Sequence, residues 1–175
     1  MRRIWLGTWA LAAGVAFLSR AAAAPANGTG AGASAGIASA LGYGGVTLTQ
    51  AFVEHARLEL GGGYGYTGWQ LSAMPKFATG SGAWRFVTGP GISVAIPTDS
   101  RRTTGHPVWL NLDLGAEYDL SESFTVAAAA GLTAGLGGGD LCLPIDHCDT
   151  ANPGKLHPVT NYWIPQGRVG FIYWF

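Results

Sequence analysis

The sequence predicts an all-β fold, an up-and-down antiparallel barrel of eight strands over residues 34–175. Apolar side chains recur at every second residue through segments of about ten residues, which is the period of an extended strand. Gly-rich or polar turns separate these segments, and 28 Gly accompany 7 Trp and 6 Tyr. Beyond the N-terminal segment, no apolar run reaches the ~20 residues that a membrane-spanning helix needs.

The last strand shows the alternation most directly. Val169, Phe171, Tyr173 and Phe175 share one face, and the chain ends in mid-strand on an aromatic residue. This ending resembles the C-terminal signal strand of bacterial outer-membrane β-barrel proteins. The resemblance implies recognition by the barrel-assembly machinery, with Phe171, Tyr173 and Phe175 as the assembly signal. The alternative is an ordinary strand that happens to end on Phe.

Residues 1–23 have the pattern of a secretory signal peptide. A cationic start at Met1–Arg3 precedes the apolar run Ile4–Leu18, and Ala21–Ala24 offers small residues for cleavage after the Ala-x-Ala pattern. The alternative, a transmembrane anchor, needs a longer run, and Arg20 interrupts this one. No Cys lies near the cleavage site, so a lipoprotein signal is not predicted. The function is therefore expected outside the cytoplasm.

Removal of the leader changes the net charge. The whole chain has ten basic and ten acidic residues, and Arg2, Arg3 and Arg20 leave with the leader, so the mature net charge is about −3. No basic patch remains, and a nucleic-acid partner is not predicted. About 150 mature residues form one domain. Residues 24–33, rich in Gly and Ala, are predicted to be a flexible lead-in.

The first strand pair is predicted near residues 34–42 and 45–53. The apolar face includes odd positions such as Ile37 and Leu41 before Gly42–Gly45, and even positions after it. Such a change of face requires a turn or a bulge. A tight turn gives eight strands and a bulge gives seven. Bacterial single-chain barrels have even strand numbers, which favours the turn.

The later strands alternate between an apolar face and a face of Gly, Ala and polar residues. Tyr64 and Tyr66 end one strand and are expected outside, in an aromatic girdle at the membrane surface. Pro75 removes a ladder hydrogen-bond donor, so a bulge is expected there. Polar residues at Asp119–Ser123 predict a short turn. The predicted strands are Ala56–Tyr66, Trp69–Phe77, Trp84–Ile96, Val108–Tyr118, Phe124–Leu136 and a final strand that begins after Trp163 and runs to Phe175.

Two longer loops are predicted, Pro97–His106 and Gly137–Pro158. Cys142 and Cys148 lie in the second, in a compartment that permits disulfides, and a Cys142–Cys148 disulfide is expected. Metal-ligand residue types surround them, but their spacing matches no known motif, and no metal is predicted. These residues are Asp140, Asp146, His147 and Asp149.

Seven charged residues fall on the inward face of the predicted strands. They are Arg57, Glu59, Lys76, Arg85, Asp113, Glu117 and Arg168. Side chains fill the interior of an eight-stranded barrel, so a charge-paired lumen network is expected instead of an open pore. A narrow conduction path along the same residues is the alternative.

No catalytic residues or cofactor are predicted. Small outer-membrane barrels include lipid A deacylases and acyltransferases, which need a serine hydroxyl beside a histidine base. Ser72 and Ser93 are candidate lumen hydroxyls, but no histidine lies in register with them. The His-Ser-Asn pattern of the deacylases is absent at all four histidines, His55, His106, His147 and His157. An enzyme is therefore not expected.

Two further alternatives concern binding and solubility. Arg101 and Arg102 could hold lipopolysaccharide phosphate at the outer rim, although solvated arginines are common in loops and the loops are modest for an adhesin. A soluble, lipocalin-like barrel would place its apolar residues inside and its charges outside. The orientations of Leu112 and Asp113 discriminate between a soluble barrel and a membrane barrel. Leu112 points outward and Asp113 inward only if the outer wall faces lipid.

The chain resembles the OmpA-like and OmpX-like class of small outer-membrane barrels over nearly all of its mature length. The resemblance lies in architecture and in the terminal strand, with no family-specific functional motif. It implies a monomer in the outer membrane of a Gram-negative bacterium, both termini in the periplasm, and contact with outer-membrane lipid and lipopolysaccharide. A structural, membrane-integrity role is expected, because the fold alone specifies no further function.

Overall fold

A computed structural model describes residues 28–80, 82–142 and 156–175. These residues form eight long β-strands, a two-residue strand and one 3₁₀ turn. The elements are β1 (Thr29–Ser39), β2 (Gly42–Val53), β3 (Ala56–Gly65), β4 (Gly68–Thr79), β5 (Trp84–Ile96), β6 (Thr103–Ser121), β7 (Phe124–Leu141), β8 (His157–Pro158), the 3₁₀ turn (Val159–Asn161) and β9 (Trp163–Trp174). The predicted signal peptide lies outside the described residues.

The eight long strands close into a barrel. Each strand from β1 to β7 pairs antiparallel with the next, β9 pairs with β7, and β9 also pairs with β1 to complete the ring. Closure removes the free edges that an open sheet would expose. The predicted all-β fold with eight antiparallel barrel strands is confirmed. Among the described residues, no helix has the length and apolar character needed to cross a membrane.

The first hairpin has the predicted tight turn at a different place. β1 begins at Thr29, within the segment predicted as a lead-in, and the turn is Ala40–Leu41 instead of Gly42–Gly45. Leu41 is only 1% exposed and lies inside, so its predicted outward position is wrong. The cause is a register shift between Ala35 and Ser39, where Ala38 has a positive φ of 52°. The shift reverses the faces of the residues that follow.

Pro75 is accommodated without the expected bulge. Ala73 pairs with Ile92 and Phe77 pairs with Thr88, so β4 and β5 keep one register across the interruption. In that register Pro75 lies opposite Pro90, and the ladder lacks pairs only around these two prolines. The two prolines, which both lack a backbone N–H, therefore lie opposite each other at a single interruption of the hydrogen-bond ladder. For this reason neither strand needs the extra residue of a bulge.

The β6–β7 hairpin is longer than predicted. The ladder continues beyond Val108 and Gly137 to a pair between Thr103 and Leu141, so the ends of both predicted loops are strand. Glycine-rich segments such as this end of β7 show little side-chain alternation. Their pairing depends on backbone hydrogen bonds with a partner strand, which the local pattern does not reveal.

Side chains alternate between the inside and the outside of the barrel. Leu110, Leu112 and Leu114 point outward and are 40%, 52% and 68% exposed, whereas Asp113 and Glu117 point inward and are each 3% exposed. This is the reverse of the arrangement expected for a soluble lipocalin-like barrel. The outer wall is apolar and the lumen is polar.

Candidate functional site

All seven charged residues predicted for the lumen lie inside the barrel. Because the strands alternate, β3 contributes two of them, β6 two, and β4, β5 and β9 one each. Their side chains are between 3% and 9% exposed. A charge this well buried is costly unless it is paired, so the geometry of pairing decides what the lumen can do.

A first ion-pair cluster is centred on Glu59 of β3. Its Oε2 lies 2.7 Å from Lys76 Nζ, and its Oε1 lies 2.8 Å from Arg168 Nη1. Arg168 reaches further across the lumen, with Nη2 2.8 Å from Asp113 Oδ2 on β6. Gln166 Nε2 donates a hydrogen bond of 2.8 Å to the other Asp113 oxygen. Strands on opposite walls are thereby joined through charged groups.

A second ion-pair cluster lies nearer the end of the barrel where β1 begins and β9 ends. Arg57 Nη2 pairs with Glu117 Oε1, and Arg85 Nη2 lies 3.5 Å from Glu117 Oε2. The same Arg85 nitrogen lies 2.8 Å from Asp119 Oδ1. Arg57 is on β3 and Glu117 on β6, so this pair also spans the lumen.

Asp119 was missing from the predicted lumen network. The predicted turn at Asp119–Ser123 begins too early, since β6 runs to Ser121 and Asp119 is fully buried. Thr125 Oγ1 donates a 2.6 Å hydrogen bond to the Asp119 carboxylate, and Trp174 Nε1 donates a 2.9 Å hydrogen bond to Thr125 Oγ1. The odd-numbered inward face of β6 includes Asp119, and this alternation was the signal that could have found it.

The two clusters together contain four cations and four anions. The balance removes the net charge that would otherwise be buried in a narrow, poorly hydrated space. Little room remains between them: a cavity beside Glu59 and Arg168 has a free volume of about 40 Å³, enough for about three water molecules. This part of the lumen is filled by side chains.

Apolar and aromatic groups lie inside the barrel at the end where β1 begins and β9 ends. Ala51, Ile172 and Trp174 form a buried cluster there. The guanidinium carbon of Arg57 lies 6.0 Å from the centre of the Trp174 ring, within the range of a cation–π contact. The apolar cluster and the charged groups are therefore in direct contact at this end of the lumen.

The opposite mouth is narrowed by two segments that fold inward. Leu41, in the β1–β2 turn, packs against the inner face of β3, where Gly61 and Gly63 leave no room for a side chain. On the other side, Val159 is fully buried beside Trp109 and Leu141. Both segments close over a polar layer in which Asn111 Nδ2 donates a 3.0 Å hydrogen bond to Ser93 Oγ.

Replacing Gly63 by Ala is expected to destabilise the barrel by about 1–3 kcal/mol. A Cβ at Gly63 would meet the carbonyl oxygens of Leu41 and Gly44, so the β1–β2 turn would have to move. The neighbouring change Gly62→Ala is the control, since its Cβ would meet Leu71 Cδ2 at an ordinary 3.6 Å. Urea unfolding of the two variants measures the difference, and equal stabilities would contradict the inward packing of Leu41.

Tyr66 also lies inside instead of in an outer girdle, so that prediction is wrong. It packs beside Trp109, and its hydroxyl donates a 2.8 Å hydrogen bond to the carbonyl of Cys142. Arg102 covers its ring, with 5.5 Å between the guanidinium carbon and the ring centre, and pairs with Asp99 at 3.5 Å. β3 ends at Gly65, so Tyr66 lies just beyond the strand. The two-residue alternation therefore no longer determines where the Tyr66 side chain points.

The remaining predicted groups do not converge on a reaction centre. Cys142 is buried, while Cys148 and the candidate ligands Asp146, His147 and Asp149 lie outside the described residues, so the Cys142–Cys148 disulfide stays a prediction. Within the described ranges, no group of three or more His, Cys, Asp or Glu side chains is arranged to hold a metal ion. His55, His106 and His157 are exposed.

The terminal aromatic residues lie at the seam where β9 closes the barrel. The rings of Phe171 and Phe124 stack with their centres 5.5 Å apart, and Tyr173 and Phe175 make an edge contact at the same distance. The Phe175 N–H donates a 3.0 Å hydrogen bond to the carbonyl of Thr29. The last residue of the chain therefore contributes directly to closure.

Comparisons of the chain with protein-family models, with curated proteins and with solved structures give no match.

Proposed function

We propose that this protein is a bacterial outer-membrane barrel with a side-chain-filled lumen and a structural, membrane-integrity role. The observation that supports the proposal most directly is the separation of charge from apolar surface. Eight charged side chains are paired inside, and the outer wall of the strands is apolar. Lipid, and not water, is the solvent that favours such a wall.

The positions of the exposed charges support a lipid-facing wall. Among the residues that the structure describes, every exposed Asp, Glu, Lys or Arg lies in a turn or loop between strands. They are Glu54, Asp99, Arg101, Arg102 and Glu122. A strand wall in water would normally mix charged residues with its apolar ones.

Aromatic pairs lie near both ends of the wall. Tyr64 and Trp69 make an edge contact at one end, with ring centres 5.3 Å apart, and Trp84 and Tyr118 lie 4.8 Å apart at the other. Amphipathic rings at two levels are typical of the girdles at membrane–water interfaces. From Trp84 to Ile96, a strand tilted by about 40° rises by about 30 Å, the thickness of the hydrocarbon layer.

Membrane fractionation tests the location. We expect the processed protein to remain in the membrane pellet after an alkaline carbonate wash and to need detergent for solubilisation. A peripheral periplasmic protein from the same cells is the control and should be released by the wash. Recovery of the barrel in the aqueous fraction would show that the proposal of a membrane location is wrong.

Flux through reconstituted liposomes tests the closed lumen. We expect liposomes that contain the barrel to retain small ions as well as empty liposomes do, because ion pairs and side chains fill the lumen. Protease protection and flotation establish that the barrel is inserted, and a porin reconstituted in parallel should conduct. A steady ion-selective current would instead establish the narrow-pore alternative.

The same proposal includes assembly and partners. Phe171, Tyr173 and Phe175 would be read by the barrel-assembly machinery, both termini would face the periplasm, and the barrel would act as a monomer in contact with outer-membrane lipid and lipopolysaccharide. The proposal groups the barrel with the small OmpA-like and OmpX-like barrels, on its eight strands and its terminal aromatic strand. The surface-binding alternative is less favoured, because Arg102 is held by Asp99 and Tyr66 and is not presented alone to a phosphate.

A further inference from the structure

The barrel wall has a gap at one end of the seam between β1 and β9. The ladder that joins these two strands ends where Ile37 pairs with Gly167. Within the described residues, the first part of β9, from Trp163 to Gln166, pairs with β7 alone. β1 leaves the wall here, because the chain after Ile37 turns into the lumen towards the buried Leu41. One edge of β9 is therefore not covered by β1 over this length.

The sequence of β9 suits this gap. The N–H of Phe175, directly after β9, bonds the carbonyl of Thr29, so the odd-numbered residues of β9 direct their backbone groups towards β1. Beyond Gly167 the next such residue is Pro165, which has no N–H to donate. A complete ladder with β1 could not form there, and the gap leaves one donor fewer without a partner.

A cavity at this gap reaches from the outer wall into the lumen, and we call it the seam cavity. Its volume is about 200 Å³, five times that of the space beside Glu59. Ile37, which is 73% exposed, borders both the seam cavity and a shallow groove on the outer wall beside Leu114 and Val169. Residues inside the barrel complete the lining, so the wall is open between the two faces. They include Gln70, Ser93, Trp109, Thr133 and Ile164.

Polar side chains around the seam cavity already bond protein groups. Gln70 Nε2 donates a 2.8 Å hydrogen bond to Thr67 Oγ1, and Thr133 Oγ1 donates one of 3.0 Å to the carbonyl of Ala38. No charged side chain among the described residues borders the cavity. An apolar ligand would break none of these hydrogen bonds and would separate no charge from its partner.

We propose that an acyl chain of a bilayer lipid passes through the gap and occupies the seam cavity. The inference rests on the membrane location proposed above, which places the gap in contact with lipid chains instead of water. The exposed Ile37 at the entrance continues the apolar outer wall into the cavity. A cavity of about 150 Å³ holds benzene, so about 200 Å³ takes about eight carbon atoms of a flexible chain.

NMR of the full barrel in lipid nanodiscs tests the proposal. The protein is deuterated except at the isoleucine δ1-methyl groups, and the phospholipid has protonated acyl chains. We expect NOE cross-peaks from chain methylenes to Ile164, which borders the seam cavity and packs inside against Trp109. Ile172 lies on the same face of β9, in the buried cluster at the other end, and should show none. Ile92, 51% exposed on the outer wall, should show them.

The three isoleucines separate failure of this inference from failure of the proposed membrane location. Cross-peaks at Ile92 but not at Ile164, or contacts of Ile164 with water alone, would show that no chain enters although the wall faces lipid. Equal cross-peaks at Ile164 and Ile172 would also overturn the inference, because the cavity beside Trp174 has a volume of only about 20 Å³. Without cross-peaks at Ile92, the membrane location would be wrong and this inference with it.

Two substitutions at Gln70 test whether the chain occupies this cavity. Gln70→Trp places a larger side chain in the cavity wall and should remove the lipid cross-peaks of Ile164 while those of Ile92 remain. Gln70→Leu, with nearly the parent volume, is the control and should retain both sets. Undiminished Ile164 cross-peaks in Gln70→Trp would show that the chain lies elsewhere. The parent spectrum decides the matter even if a variant does not fold.

Discussion

Replacing Glu59 by Gln is expected to lower the free energy of unfolding by about 3–5 kcal/mol. The change removes the anion that lies 2.7 Å from Lys76 and 2.8 Å from Arg168. Arg168 keeps Asp113 as a partner, but Lys76 is left as a buried cation without a carboxylate in contact. Urea titration of barrels refolded in detergent micelles, followed by tryptophan fluorescence, measures the loss.

Two further variants give this experiment its controls. Asp99→Asn disrupts the Arg102–Asp99 pair, whose side chains are 57% and 45% exposed, and should cost less than about 0.5 kcal/mol. The double variant Glu59→Gln with Lys76→Met removes the unpaired cation and should recover much of the lost stability. A double variant no more stable than the single one would show that Lys76 is not the source of the loss.

Replacing Leu112 by Arg is expected to cost about 2–4 kcal/mol when the barrel is folded in lipid vesicles. Leu112 lies midway along β6, and its side chain points away from the lumen. An arginine there would be placed in the hydrocarbon layer of the proposed membrane. Denaturant titration in vesicles gives the change in stability, and the yield of folded barrel gives its effect on insertion.

Glu122→Arg is the matched control for this substitution. Glu122 lies in the turn between β6 and β7, at the end of the barrel, where an arginine stays in water. We expect little change in stability there. If Leu112→Arg were as harmless as Glu122→Arg, the outer wall would be in contact with water and the proposed membrane location would be wrong.

Local alternation was sufficient to predict which residues share a face in most strands, and the terminal aromatic strand and the export signal favoured the charged face as the inner one. Asp113 and Glu117 follow the period of two along β6, and the leucines between them point the other way. Where the backbone departs from regular extension, the same rule fails. The register shift at Ala38 reverses the faces before Leu41, and Tyr66 lies beyond the end of β3, where alternation no longer applies. The side chains of Leu41 and Tyr66 therefore lie inside the barrel.

The partners of the lumen charges could not be predicted in this way. Arg57 and Glu117 are 60 residues apart, on strands that meet only across the closed barrel. Which charges face one another depends on strand tilt and on the register of every hairpin between them. An error of one residue in the register of a single strand pair would reverse the faces of the next strand. The pattern within one strand carries no information about the registers of the other strand pairs.

The sequence by itself determined an all-β chain with alternating strand faces, because strand periodicity and turn residues are local properties. It favoured eight strands over seven and charges inside over charges outside. Only the tertiary structure decided how the lumen charges pair, with Glu117 and Asp119 both lying beside Arg85. It also decided that Leu41 and Val159 fold inward, and that Trp109 and Gln70 border one cavity. These features depend on contacts between distant strands, which form only when the barrel closes.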